Sequence, residues 1–379
     1  KVRIHDPVAG GAALVMIDVG SKVKKLAVFT DPATGEPRLA CGCEDGMVRI
    51  FDPVAGGEAL LVIDVGGEVN ALDIYEDLAT GALRLACGTN NYYKSTYTVL
   101  VFDLVAGGEA LVVLEVNGIV KALAAFAEPA TGGQRLACGT DYRDKKVYVF
   151  DPVAGGEALL VIDVGEEVWA LAFFTYPATG APRLACGSSE KVRVFDPVAG
   201  GEALLVIDVG SRVWALAVFA DPATGELRLA CGSGDFRIGG VHIFNPVVGG
   251  EALVVLEGHT RDVLALTVFT DPATGGLRLA SEDRDGSVRV WDLAAGGAAL
   301  FVLEGHTDNV NALTAFADPA TGETRLVSGS RDKTLRVWDA SKGGAALRVV
   351  AFEDEVKALA VRSDTSGLFV AFGKRWGEL

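Results

Sequence analysis

The residues best suited to chemistry come in two matched sets. His259, Ser281 and Asp285 recur in the order and spacing of His306, Ser328 and Asp332, and each set is followed by a tryptophan, Trp291 or Trp338. A hydroxyl, an imidazole and a carboxylate are the parts of a nucleophile–base relay. Two copies argue against that use, because one catalytic site needs only one. A buried imidazole also needs partners for both nitrogens, and a hydroxyl and a carboxylate supply them. The other histidines, His5 and His242, fall in strand-like runs. No catalytic residue is assigned, and no enzyme activity is expected.

The cysteines offer little more. Cys41, Cys87, Cys138, Cys186 and Cys231 share one place in a repeat, R-L-A-C-G, and Cys43 lies two residues beyond Cys41. Thiols on separate repeat units are badly placed for disulfides. They read as small buried hydrophobes in a reducing, intracellular and cytoplasmic setting. The sequence holds no CxxC, Cys/His metal spacing, Walker A motif or EF-hand loop, so neither a metal nor a cofactor is expected. A net charge of −16 disfavours nucleic acid and anionic membrane surfaces. No apolar run approaches the length of a membrane-spanning helix, and the opening KVRIHDPVAG has no signal-like apolar core.

The elements that must position these residues are repeats. A strand-like ending closes on Asp6, Asp52, Asp103, Asp151, Asp196, Asn245, Asp292 and Asp339, at spacings of 46, 51, 48, 45, 49, 47 and 47. Periods in the forties with four short apolar runs indicate propeller blades. Each period reads as strands a to d, with Pro and Gly confined to the turns. Strand a begins at Val23, Val69, Val120, Val168, Val213, Val263, Val310 and Val356. The first copies of c and d open the chain, and the last copies of a and b close it. The expectation is an all-β fold: one domain over 1–379, a closed β-propeller of eight four-stranded antiparallel blades. Residues 1–22 form a half-blade that closes with 351–379. The alternative is seven full blades whose half-blades belong to a longer array.

The stretches EGHTRDV, RLASEDRDGSVRVWD, EGHTDNV and RLVSGSRDKTLRVWD resemble WD40 repeats, and the earlier, degenerate repeats share their frame. The resemblance implies a buried hydrogen-bond chain of His259, Ser281, Asp285 and Trp291, and a second of His306, Ser328, Asp332 and Trp338. In the first five repeats Cys stands for the Ser and Phe for the Trp, and Gly-His is missing. Those blades must rely on apolar packing. The family is mostly non-enzymatic and binds peptides and partner proteins. Its runs of near-identical repeats also resemble sensor ends of larger intracellular signalling proteins.

Comparing the repeats with one another separates constant from variable positions. The a–b turns (DPATGEP, DPATGEL, DPATGET) and c–d turns (DPVAGGEA) barely change. The b–c loops differ, and carry Tyr92, Tyr93 and Tyr97, then Tyr142, then Phe236 and Arg237. Just after the first Val of strand a, the residues read Lys24, Asn70, Lys121, Trp169, Trp214, Leu264, Asn311 and Lys357. In a closed propeller these ring the channel mouth, with Trp169, Trp214 and Leu264 as an apolar arc and lysines elsewhere. Aromatic and basic residues on a rigid scaffold suit a protein or peptide partner, unless both Trp simply pack between blades. The expected function is a monomeric interaction scaffold binding on this face. A structural or designed repeat protein without a ligand is the alternative.

Overall fold

A computed structural model of the chain describes residues 1–6, 12–91, 95–128, 131–235, 239–353, 355–364 and 367–373. It is an all-β propeller of four-stranded antiparallel blades. Among the described residues there are eight such sheets. Seven run through consecutive strands, as in Val23–Thr30, Pro37–Cys43, Met47–Phe51 and Leu61–Asp64 for strands a to d. The remaining sheet joins the two ends of the chain. Leu359–Asp364 and Gly367–Gly373 are its a and b strands, and Val2–His5 and Val15–Ile17 its c and d strands. Val2 pairs with Gly373 and Ile4 with Ala371.

The chain divides into two compact units, Ser21–Ile207 and Lys1–Gly20 with Asp208–Leu379. The first holds the sheets whose a strands are Val23–Thr30, Glu68–Glu76, Val120–Ala127 and Ala170–Thr175. The second holds the end-joined sheet and those beginning at Val213, Val263 and Val310.

Within a unit, strand b between two neighbouring sheets is buried on both faces. Leu85, Ala86 and Cys87 are fully buried, and Val99, Val101, Leu114, Val120 and Leu136 pack together between two sheets. The Gly that follows Cys has a steric cause. A Cβ on Gly42 would sit 2.7 Å from Val69 Cγ1, and one on Gly88 2.7 Å from Val120 Cβ. The first Val of the next strand a fills that space. The Cys–Phe blades replace the polar chain with packing, since all six cysteines are free and buried, and Phe51, Phe102, Phe150, Phe195 and Phe244 are buried too.

The constant turns form a clamp. Asp103 Oδ1 accepts from Val105 N and Ala106 N, which fixes the c–d turn. Its other oxygen lies 2.7 Å from Arg84 of strand b, and Arg84 also reaches Asp77 of the a–b turn at 3.4 Å. Burial pushes Asp77 up, but the Thr80 hydroxyl, Ala79 N–H and Arg84 outweigh it and hold the carboxyl below its usual value. Arg38, Arg135, Arg278 and Arg325 bridge the same two turns in their own sheets. The recurring Arg and Asp are therefore structural.

Candidate functional site

The two polar chains lie in consecutive sheets of the same unit. Ser328 Oγ receives Trp338 Nε1 at 2.8 Å and meets His306 Nε2 at 2.8 Å. His306 Nδ1 is 2.8 Å from Asp332 Oδ2. Burial pushes the His306 imidazole down, more than Asp332 raises it. In the preceding sheet Ser281 receives Trp291 Nε1 at 2.8 Å and meets His259 Nε2 at 2.7 Å. The carboxylate facing His259 Nδ1 is Asp283, 3.0 Å away, which corrects the expectation of Asp285. Asp285 lies on the exposed loop, accepting from Thr260 Oγ1 and Ser287 N. Each Ser oxygen is held by an indole and an imidazole, and both are out of solvent. Such an oxygen cannot meet a substrate.

The variable residue after the first Val has a backbone cause that alternation could not reveal. Strand a carries a register shift there, between Val23 and Lys25, Val69 and Ala71, Val120 and Ala122, Val213 and Ala215, Val263 and Ala265, and Val310 and Ala312. Lys24, Asn70, Lys121, Trp214, Leu264 and Asn311 are thus β-bulge residues, re-aimed away from the ladder. All are half-buried, as are Trp169 and Lys357. Neither Trp is a fully buried core residue.

In the unit Ser21–Ile207 several of these side chains meet. Lys24 forms an ion pair with Glu68, and Asn70 Nδ2 donates to Glu68 O at 3.3 Å. Lys121 Nζ lies 5.1 Å over the Trp169 ring. Lys25, which the sequence reading passed over, completes the group. Desolvation by surrounding protein lowers its pKa, and the charges of Lys24 and Lys121 lower it further. Among the described residues Lys25 has no salt-bridge partner. Its signal was available in the sequence: the other repeats carry Ala71, Ala122, Ala170, Ala215, Ala265, Ala312 and Ala358 at this place. The b–c loop of the third sheet adds Tyr142, exposed beneath the Arg143 guanidinium at 4.6 Å, and Arg143 pairs with Asp141. Tyr97 is half-buried and close enough for its phenol to act on Arg143.

In the other unit two guanidiniums lie against the Trp214 ring, Arg212 at 5.0 Å and Arg284 at 5.5 Å. Asp262 pairs with Arg284 at 3.1 Å. Asn311 Nδ2 donates to Val356 O at 2.9 Å, and Lys357 pairs with Glu355 at 3.4 Å. Trp169 belongs to one unit, and Trp214 and Leu264 to the other. Tyr92, Tyr93, Phe236 and Arg237 lie outside the described residues. Among the described residues no cluster of acids, His and Cys could hold a metal, and no helix is long and apolar enough to cross a membrane.

The family "WD domain, G-beta repeat" matches residues 250–292 and 297–339, the two stretches that carry the His–Ser–Trp chains. The chain carries WD40 repeats. Among the described residues the other sheets share the four-stranded antiparallel frame of the two matched repeats. The chain is also similar to the crystal structure of the computationally designed Ika8 protein, at 26% identity and a TM-score of 0.69, over 95% of this chain and 99% of that one. No curated protein matches the chain significantly. WD40 propellers generally serve as protein-interaction scaffolds.

Proposed function

We propose that this WD40 chain is a non-enzymatic scaffold that binds an extended peptide or partner loop on the bulge face of its inner strands. Lys25 carries the proposal. It is a cation without a salt-bridge partner among the described residues, set beside Lys24 and Lys121, where seven other repeats have Ala. A net charge of −16 makes such a cationic group stand out. The three ammoniums suit a carboxylate, from an acidic side chain or a chain terminus. Trp169 and Tyr142 offer apolar surface beside them. The reading includes one closed, monomeric ring of eight blades over 1–379, with 1–22 and 351–379 as the joining blade, in the cytoplasm. Pairing of Val2–His5 with Gly367–Gly373 supports the joining blade, and buried free thiols fit a reducing compartment.

A second reading is favoured by the near-identical turns and by the likeness to a computationally designed protein. It is a repeat protein built without a ligand. Selection of random dodecapeptides on the immobilised chain separates the two. The scaffold reading expects acidic peptides to be enriched, and the enrichment to vanish with Lys24→Ala/Lys25→Ala/Lys121→Ala. Enrichment of no sequence, or of sequences indifferent to those changes, refutes it.

A further inference from the structure

The outer edge of each sheet is apolar where solvent meets it. In strand d at Val112–Val116, Val112, Leu114 and Val116 are buried, while Leu111 and Val113 are each 54% exposed. Glu115 is exposed in the strand and Glu109 in the bend before it, giving a sequence stripe of acid, Leu, Val and acid at alternate positions. The same stripe recurs as Glu58, Leu60, Val62 and Asp64, and as Glu251, Leu253, Val255 and Glu257. Val112–Val116 ends its sheet, pairing with Thr96–Asp103 on one side only. A long apolar edge of this kind is a template for another strand.

The stripe selects which strand. If two copies paired antiparallel about residue 112, Glu109 of one would face Glu115 of the other. Parallel pairing in register would stack like on like. Those two registers set like charges directly opposite, which destabilises a strand pair, whereas antiparallel pairing about residue 113 would set Glu115 against Leu111. A strand with basic residues at its ends and apolar residues between them meets the stripe with every pair matched. Beside this edge runs a groove of about 520 Å³, lined by Val113, Glu115, Tyr148, Glu157 and Val161 among others. The Tyr148 hydroxyl is engaged by Asp144 at 2.8 Å and Asn117 at 3.0 Å, so its ring forms an apolar floor. Two valines, a phenol ring and two carboxylates suit a Lys or Arg side chain, stem against the valines and charge at the acids.

We propose that the free edge of Val112–Val116 binds an extended basic–apolar segment of a partner protein by β-strand addition. This surface is separate from the bulge residues, and its test does not depend on them. The probe is the blocked peptide Lys-Thr-Val-Thr-Val-Thr-Lys, added to the full chain. Amide hydrogen exchange is expected to slow at residues 111–116 on binding. The same peptide N-methylated at alternate residues keeps its charge but cannot pair, and should bind at least tenfold more weakly. Glu115→Lys/Glu157→Lys should also weaken binding at least tenfold, with circular dichroism unchanged because both side chains are exposed. Equal binding of the methylated peptide would overturn the proposal, by reducing the effect to charge alone. So would protection confined to residues outside this edge. A dimer of the chain alone that Val113→Lys dissolves would assign the edge to a second copy instead, and would also overturn it.

Discussion

His259 Nδ1 sits 3.0 Å from Asp283 Oδ2, with both side chains out of solvent. Asp283 also receives Thr260 N at 3.2 Å and Asp285 N at 3.0 Å, so one carboxylate ties the loop before strand a to the b–c turn. Asp283→Ala removes the buried acceptor of the Thr260 and Asp285 N–H groups and the carboxylate beside His259 Nδ1. Such a loss is expected to lower the unfolding free energy by about 2–3 kcal/mol. Asp285→Ala, on the exposed loop, should cost less than about 1 kcal/mol. Urea midpoints of the two variants compare them directly. A larger loss for Asp285→Ala would reassign the partner.

Glu282 is fully buried, and neither carboxylate oxygen has a hydrogen-bond partner. It stands where other repeats have Gly42, Gly88, Gly139, Gly187, Gly232 and Gly329. Burial pushes its carboxyl well above the usual range, the nearby Asp283 charge adds to that, and Arg284 opposes it. Glu282→Gly is therefore expected to stabilise the fold by roughly 1–3 kcal/mol at neutral pH. The sign with pH follows from linkage. The folded state holds this proton more tightly than the unfolded chain. The parent should thus lose stability, relative to Glu282→Gly, as pH rises through the unfolded value of about 4.3 toward the raised folded value. Thermal melts at acid and neutral pH check this. A gap that does not widen between them would contradict it.

Lys25 separates binding from folding. Lys25 is exposed, yet crowding by surrounding protein and the charges of Lys24 and Lys121 lower its pKa, so the folded state holds that proton less tightly than the unfolded chain. Stability from this group should rise as pH climbs through the lowered folded value toward the unfolded value of about 10.4. At neutral pH, Lys25→Ala is expected to melt at or above the parent temperature while binding selected acidic peptides at least tenfold more weakly. Calorimetry and titration on the same samples measure both. A drop in melting temperature with binding intact would make Lys25 a structural residue.

The end-joined sheet makes its own prediction. Deleting residues 1–18 removes strands Val2–His5 and Val15–Ile17 and bares the Gly367–Gly373 edge. An uncovered edge invites pairing with other chains. The truncated chain should melt lower and self-associate in sedimentation. A monomer that melts like the parent would contradict the joining blade.

The frame of four strands per repeat was legible because Pro, Gly and Asx residues mark every turn and the apolar runs are short. The buried Ser–His–Trp groups followed from the resemblance to WD40 repeats, but the choice between Asp283 and Asp285 did not. Both lie within five residues of Ser281, and the path of the loop decides which faces the imidazole. The bulge was invisible to a count of alternating residues, although its variable side chains were not. Lys25 was visible as a break from Ala, one residue beyond the position that drew attention. The outer stripe was also written in every GEALLVID segment. Exposure of its Leu and Val depends on what covers each strand, which the pattern does not state.

The central claim is that the clamp face is structural and the bulge face recognises the partner. Site-specific photo-crosslinking of a selected acidic peptide tests it most directly. One benzophenone replaces Asn70 among the bulge residues, and another replaces Glu36 on the exposed a–b turn. The account predicts crosslinks from position 70 and none from position 36. Crosslinks from position 36 alone would contradict it.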